Sequence, residues 1–142
     1  MSYSYKYPRA SLTVDAVIFR KAEAVYQVLL IERAYEPFMG KWALPGGFVD
    51  MDETLEEAVE RELAEETHLS GIKFEQLHAF SALDRDPRGR TVSVVFCGML
   101  ADNQQAKAGD DASKVQWFGI NDLPLLAFDH QEVLQLALQK LT

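Results

Sequence analysis

Residues 44–69 read LPGGFVDMDETLEEAVERELAEETHL, and this stretch decides the fold. Residues 45–47 are Pro-Gly-Gly and predict a turn in which bare backbone can come close to a ligand. Thr54 followed by Glu57 has the spacing of a capping box, so a helix is predicted to begin there. The apolar residues that then recur every four positions are Leu55, Val59 and Leu63. The stretch therefore predicts a turn followed by an amphipathic helix.

Two carboxylates of this predicted helix fall on the face that should be buried. At about 100° per residue, Glu62 and Glu66 project within roughly 20° of Leu55, and Glu65 flanks them. Uncompensated charge there is costly, and crowded carboxylates resist ionising together. A hard divalent cation removes both costs, because it takes oxygen ligands and neutralises the cluster. The alternative is that the side chains reach the helix edge and pair with Arg61 or a lysine.

The fixed positions of the stretch resemble the Nudix box, G-x5-E-x7-R-E-U-x-E-E-x-G-U with U aliphatic. The matching residues are Gly47, Glu53, Arg61, Glu62, Leu63, Glu65, Glu66 and Leu69. His68 stands where the box has glycine. That position follows the predicted helix end, where glycine usually adopts a left-handed conformation that histidine visits more readily than most residues. This departure therefore predicts a modest stability cost and no loss of catalysis.

The resemblance implies a Nudix-type α-β-α sandwich, an α/β (α+β) fold with a mixed sheet. It also implies hydrolysis of a nucleoside diphosphate linked to another moiety, with Mg²⁺ or Mn²⁺ as the cofactor. The metal ligands implied are the carbonyl of Gly46 and the carboxylates of Glu62, Glu65 and Glu66. Such chemistry depends on positioning and charge stabilisation more than on covalent steps.

Further catalytic residues are implied in the same way. Glu53 and Arg61 match the pair that supports the box, a role compatible with a plain structural ion pair. The general base is left open by the resemblance. Some family members use a carboxylate on a later loop, which makes Asp110 or Asp111 a candidate, and otherwise a box glutamate such as Glu65 serves.

Composition and charge narrow the class of protein. The 142 residues, 48% of them hydrophobic, predict one globular domain over residues 1–142. A formal net charge of −8 argues against non-specific binding to nucleic acid or to an anionic membrane surface, and neither is expected as a partner. A single cysteine, Cys97, excludes an intrachain disulfide and is interpreted as a small core residue. Without a membrane span or a signal-peptide core, a cytoplasmic location is expected.

The remaining elements are predicted from short apolar runs. Strands are predicted at residues 12–19, 25–33, 74–82, 91–100 and 115–118. A final helix is predicted near Asp129 and Glu132. Strands, a helix, more strands and a terminal helix predict a mixed sheet with helices on both faces.

Residues 84–90 read DRDPRGR and place three arginines in an acidic chain: Arg85, Arg88 and Arg90. They form either a solvated loop or a clamp for the substrate's phosphates, since arginine suits bidentate phosphate recognition. Arg88 is the preferred clamp, because Pro87 stiffens the backbone before it and Gly89 lets the chain turn after it. The segments DPRGR, GDDA and LAFDH resemble the ADP-ribose pyrophosphatase branch, which implies ADP-ribose as substrate and AMP and ribose 5-phosphate as products.

Two other functions stay open at this point. One is a Nudix nucleoside triphosphate pyrophosphatase, and the other is a non-catalytic domain that senses ADP-ribose. Related sensors carry an added DNA-binding domain, whereas this chain stops after its last helix and retains the box carboxylates, so an enzyme is expected.

Three tyrosines suggest a partner chain. Tyr3, Tyr5 and Tyr7 lie on one side of an extended N-terminal segment, which is either an edge strand or a loose tail. Because they would be unusually exposed in a monomer, a homodimer with this segment at or near the interface is expected.

Overall fold

The computed structural model describes residues 4–109 and 111–141. Its strands are β1 (Ser11–Ala22), β2 (Val25–Arg33), β3 (Trp42–Ala43), β4 (Gly46–Phe48), β5 (Glu75–Phe80), β6 (Thr91–Met99) and β7 (Ala112–Gly119). Its helices are α1 (Leu55–Thr67) and α2 (His130–Leu141). In the sheet, the order β3-β2-β1-β6-β5 is extended by β4 on β1 and by β7 on β2. Since β1 and β6 run parallel and the other pairs antiparallel, the predicted mixed sheet is confirmed.

The divergence of β1 and β2 positions the rest of the molecule. The two strands pair only between residues 19–22 and 25–28. Beyond that point β4 pairs with β1 at residues 13–15, while β3 pairs with β2 at residues 31–32. The short link between β3 and β4, which begins the Pro-Gly-Gly turn, therefore lies in the gap between the two diverging strands.

Two apolar clusters cover the two faces of the sheet. Side chains alternate along β1, so Val14, Ala16 and Ile18 join the cluster that contains α1, and Val17 and Phe19 join the cluster that contains α2. The sheet is thus covered by one helix on each face, and the predicted α-β-α sandwich is confirmed.

The boundaries of α1 follow the local sequence. Thr54 Oγ1 accepts a hydrogen bond from the Glu57 amide at 3.1 Å, and Glu57 Oε1 accepts one from the Thr54 amide at 2.8 Å. This is the predicted capping box. At the other end His68 adopts a left-handed conformation with φ 64°, as expected of the position that holds glycine in the box.

Other expectations differ from the structure in detail. Residues 4–10 form no strand within this chain, so an edge strand laid on a partner chain stays a prediction, and Tyr3 lies outside the described residues. Strand β7 begins earlier than predicted because residues 112–114, which include the exposed Ser113 and Lys114, continue the ladder with β2 up to Arg33. Cys97 is half-buried, and burial raises the pKa of its thiol to about 11, so it is no activated nucleophile. In the described part of the chain, no helix combines the length and apolarity needed to cross a membrane.

Candidate active site

A cavity of about 370 Å³ opens beside the Pro-Gly-Gly turn. Its acidic lining residues come from five separate elements or loops, with Glu36 on the loop after β2 as a sixth: Asp15, Asp50, Glu62, Glu66, Asp86 and Asp111. Its basic lining residues are Arg33, Arg85 and Arg88. Acidic and basic groups from distant parts of the sequence therefore share one concave site.

Glu66 is the most deeply buried carboxylate of the box, with 5% of its surface exposed. Its Oε1 accepts a hydrogen bond from the Gly46 amide at 2.7 Å, which joins α1 to the turn. Burial raises the pKa of Glu66 to about 8, and the nearby charges of Glu62, Asp15 and Asp111 act in the same direction. The metal-free site therefore disfavours the ionised carboxylate.

Glu62 lies beside bare backbone. A Cβ at position 47 would come within 2.6 Å of the Glu62 carboxyl carbon, so a larger residue there would displace the Glu62 carboxylate. Burial raises the pKa of Glu62, although Arg61 opposes that shift. The structure thus brings both inward-facing glutamates of α1 against residues 46–47.

Arg61 connects several residues of the box through hydrogen bonds. It donates two hydrogen bonds to Glu53, at 2.9 and 2.6 Å, and further bonds to Glu62 at 2.8 Å and Glu65 at 3.2 Å. Its guanidinium also donates to the Phe48 carbonyl at 3.0 Å. The hydrogen bond from Arg61 lowers the pKa of Glu53 to about 2, so Glu53 stays ionised. Glu65 points outward, with 41% of its side chain exposed, and does not line the cavity.

The donor set suits a hard divalent cation. The box supplies carboxylate oxygens, and a cation would offset the charge that burial and neighbouring carboxylates disfavour at Glu66. Within residues 4–109 and 111–141, no three acidic, histidine or cysteine side chains already converge as a preformed metal cluster. In this structure the Glu62 carboxylate accepts a hydrogen bond from Arg61, and the Glu66 carboxylate accepts one from the amide of Gly46.

A buried polar group in the cavity lining was missed by the sequence reasoning. Asp15 on β1 accepts a hydrogen bond from Ser93 of β6, and its Oδ1 lies 3.6 Å from His130 Nε2 at the start of α2. His130 Nδ1 accepts the Leu44 amide at 3.0 Å, so the ring proton lies on Nε2, towards Asp15. Burial opposes ionisation of Asp15, but His130, Ser93 and Arg85 outweigh it and lower its pKa. The available signal was a lone carboxylate inside an apolar strand.

The three arginines of residues 84–90 do not form one basic cluster, which corrects the sequence-based interpretation. Arg85 is buried and donates two hydrogen bonds to Asp129, at 2.9 and 2.7 Å, so its guanidinium is already engaged at the base of the cavity. Arg90 lies outside the cavity lining, and its guanidinium donates to the Ser81 carbonyl at 2.7 Å. Of the three, Arg88 is left as the partly exposed arginine of the cavity wall.

Arg88 belongs to an aromatic and cationic wall. Asp86 accepts two hydrogen bonds from its guanidinium, at 3.0 and 2.7 Å. The guanidinium carbon lies 4.7 Å from the ring centroid of Phe48 and 5.3 Å from that of Phe128. Arg33 lies 5.1 Å from the same Phe128 ring and was not predicted as a site residue. Two cations from distant segments therefore converge on Phe128.

The two candidate bases between β6 and β7 are Asp110 and Asp111. Asp111 is exposed and lines the cavity, and its main-chain carbonyl accepts the Ala34 amide at 3.0 Å. Asp110 lies outside the described residues. Of the two, Asp111 is therefore the residue that can be placed beside the box glutamates.

Comparisons with known proteins agree with this geometry. A family model described as the NUDIX domain matches residues 10–137. An ADP-ribose pyrophosphatase of Methanocaldococcus jannaschii is 44% identical over 91% of this chain and 73% of that protein. The ADPR responsive transcriptional repressor NtrR of Acinetobacter baylyi is 35% identical over 95% of this chain, which spans only 56% of the repressor.

Solved structures give the same assignment. The NUDIX domain of Shewanella oneidensis NrtR, complexed with ADP ribose, superposes with a TM-score of 0.90 and 38% identity, over 99% of this chain and 94% of that one. A bifunctional NMN adenylyltransferase/ADP ribose pyrophosphatase of Francisella tularensis, complexed with AMP and a Mn ion, superposes with a TM-score of 0.81 and 29% identity. That match covers 96% of this chain and 43% of the bifunctional protein. The fold, the box and these matches together show that the chain belongs to the Nudix family.

Proposed function

We propose that this chain hydrolyses ADP-ribose to AMP and ribose 5-phosphate with Mg²⁺ or Mn²⁺. The observation that carries the proposal is the shared cavity, in which Glu62 and Glu66 lie on one wall and Arg33 and Arg88 on another. A diphosphate linking two riboses carries charge that both walls can compensate, through a cation on the acidic side and guanidinium groups on the basic side. The archaeal pyrophosphatase and the ADP-ribose-bound NUDIX domain support this choice of substrate.

The cation is assigned to the carboxylates of Glu62 and Glu66, with Glu65 and the Gly46 carbonyl as assisting ligands. A bound divalent cation would neutralise phosphate charge and lower the pKa of a coordinated water. The Mn ion in the Francisella tularensis relative supports a divalent metal of this class. The chain itself contributes orientation, because the amide of Gly46 fixes the Glu66 side chain at 2.7 Å.

The Glu53–Arg61 pair is assigned a positioning role. Arg61 bridges Glu53, before α1, to Glu62, within α1, so it fixes the helix relative to the turn. Asp111 is the preferred general base among the described residues, because it lines the cavity. Glu65 is the alternative base that the box resemblance implies, and in this structure its carboxylate bonds to Arg61 outside the cavity lining.

Arg88 is assigned as the substrate clamp. Its bidentate contact with Asp86 fixes the guanidinium plane, and Phe48 and Phe128 flank it. A fixed guanidinium suits a phosphate or a terminal ribose, because little side-chain entropy is left to lose on binding. Arg33 supplies a second cation, and its guanidinium also lies against the Phe128 ring.

A substrate panel tests the proposed reaction. ADP-ribose, other nucleoside diphosphate sugars and normal and oxidised nucleoside triphosphates would each be incubated with Mg²⁺, and the products separated by chromatography. AMP released from ADP-ribose with the highest kcat/KM supports the proposal. Preference for a triphosphate would favour a nucleoside triphosphate pyrophosphatase. Tight binding of ADP-ribose without hydrolysis would favour a sensor.

Two substitutions in α1 test whether turnover depends on the box carboxylates. Glu66→Gln keeps the side-chain shape but removes a charge from the assigned metal site, so kcat should fall by about 10²-fold or more. Glu60→Gln removes a charge from the exposed face of α1 and should leave kcat unchanged. Near-normal turnover of Glu66→Gln at saturating metal would contradict the ligand role.

We further propose a homodimer. The described N-terminal residues leave large side chains exposed, including 45% of Tyr5, 69% of Tyr7 and 41% of Leu12. These residues form a shallow groove with Met51, which is 81% exposed and follows β4. A groove that exposes this many aromatic and aliphatic side chains is a candidate subunit interface next to the box.

A further inference from the structure

The residue that departs from the Nudix box makes a contact that glycine could not make. His68 follows the last residue of α1 in a left-handed conformation, with φ 64°. Its ring Nδ1 lies 2.7 Å from the main-chain oxygen of Lys107, on the loop between β6 and β7. Because a carbonyl only accepts, the hydrogen must lie on Nδ1, which holds both for the neutral Nδ1–H tautomer and for the imidazolium.

The same loop continues along the end of α1. The Lys107 amide donates to the Thr67 carbonyl at 2.8 Å, and the Gly109 amide donates to the Glu66 carbonyl at 3.1 Å. These carbonyls belong to the last turn of the helix, which has no partners of its own for them. A Cβ at position 109 would come within 2.4 Å of the Glu65 carbonyl oxygen, so the loop packs backbone against backbone. Glu66 is thereby held at both ends, by residue 46 and by residue 109.

The far end of this segment is fixed by a different strand. The Asp111 carbonyl accepts the Ala34 amide at 3.0 Å, just after β2, and the Ala112 amide donates to the Gly109 carbonyl at 3.1 Å. The described residues of this loop therefore contact both the end of α1 and the end of β2, and the Asp111 side chain lines the cavity. His68 supplies the side-chain contact at the helix end of this span.

We propose that His68 is a positioning residue, which holds residues 107–109 on α1 so that Asp111 faces Glu66 across the cavity. A glycine at position 68 would relieve the left-handed backbone but would lose the ring contact with Lys107. Histidine at position 68 is therefore less favourable than glycine for the left-handed helix end, but it adds a contact that fixes the loop. The effect on turnover rests on the proposed hydrolysis of ADP-ribose, whereas the fixing of the loop does not.

Amide hydrogen exchange tests the loop contact without any need for activity. In His68→Gly, the amides of Lys107 and Gly109 should exchange at least about fivefold faster, as expected when one hydrogen bond no longer opposes local opening. Gln104→Ala is the matched control. Gln104 ties the same loop to Ser70, with bonds of 2.7 and 3.0 Å, so that variant should speed exchange at Ser70 but leave the other two amides as they are.

A double-mutant cycle tests the link to Asp111. His68→Gly should lower kcat for ADP-ribose by roughly 10-fold with little change in KM, because a misplaced catalytic group slows the chemical step. Gln104→Ala should keep the wild-type kcat. In an Asp111→Asn background, His68→Gly should have no further effect, since the residue it positions is already disabled.

The outcomes separate the two proposals. If the wild type hydrolyses no ADP-ribose, the proposed function fails, and the exchange rates of Lys107 and Gly109 still decide whether His68 fixes the loop. Unchanged exchange at both amides in His68→Gly overturns the inference. So do additive effects of His68→Gly and Asp111→Asn on kcat, or an Asp111→Asn variant with normal turnover, because each shows that His68 does not act through Asp111.

Discussion

Glu66 should make the metal-free protein less stable as the pH rises. Its pKa is raised from an ordinary value of 4.5 to about 8, chiefly by burial, so the folded state retains a proton that the unfolded chain has lost between these two values. The contribution of Glu66 to the unfolding free energy is therefore most favourable below about pH 4.5. It decreases as the pH rises through the interval and is least favourable above about pH 8. Replacing Glu66 with glutamine removes the titrating group and keeps the acceptor for the Gly46 amide.

The size of the effect follows from the two pKa values. At about 1.36 kcal/mol per pH unit, the raised pKa of Glu66 costs the fold about 5 kcal/mol above pH 8, where the carboxylate is ionised, and about 3 kcal/mol at pH 7, where the folded state still holds the proton. Water entry and side-chain rearrangement reduce that cost. Glu66→Gln should therefore raise the unfolding free energy of the metal-free protein at pH 7 by up to about 3 kcal/mol. The same variant should lose activity, so stability and turnover move in opposite directions.

Urea unfolding in chelator at pH 5.5, 7 and 8 measures this prediction. The wild type should lose stability across the series, and Glu66→Gln should lose much less. Glu60→Gln, on the exposed face of α1, should follow the wild type. Added Mg²⁺ should stabilise the wild type most at the highest pH, because the cation binds the ionised form. Identical pH dependence in the wild type and Glu66→Gln would refute the account of Glu66 as a desolvated carboxylate.

Three further predictions follow from the other contacts. Arg88→Ala should raise KM for ADP-ribose more than it lowers kcat, by the equivalent of about 1.5–3 kcal/mol, whereas Arg90→Ala, outside the cavity, should keep KM near the wild-type value in steady-state assays. Thr54→Ala should lower the unfolding free energy by about 1 kcal/mol in urea titration, since it removes the helix cap, and an unchanged midpoint would contradict that role. Sedimentation at tens of micromolar, a rough working concentration, should show a dimer that Tyr7→Ser weakens, and a monomeric wild type would exclude the proposed assembly.

The local features of the box could be read from sequence because they depend on residues a few positions apart. The cap formed by Thr54 and Glu57, the helix up to Thr67 and the left-handed His68 all follow from neighbours within about one turn. The inward direction of Glu62 and Glu66 follows from the helical period alone. The fold class followed from the box resemblance and from the order of the apolar runs, which the sheet and its two covering helices confirm.

The tertiary structure decided the contacts that join distant segments. Leu44 and His130 are 86 positions apart, and Asp15 and Ser93 are 78 positions apart, so no local pattern could pair them. Arg85 and Arg88 lie close together in the sequence but differ in their partners. Asp129, from a distant segment, accepts two hydrogen bonds from Arg85 and so engages its guanidinium.

The divergence of β1 and β2 explains why these pairings were not predictable. Strand register is set by backbone hydrogen bonds and by core packing across the whole sheet, not by the side chains of any one strand. The sequence by itself determined the chemistry of the box helix and the direction of its carboxylates. Only the tertiary structure, by opening a gap between β1 and β2 and running residues 107–109 across the end of α1, decided which arginines and which loop carboxylate meet that helix.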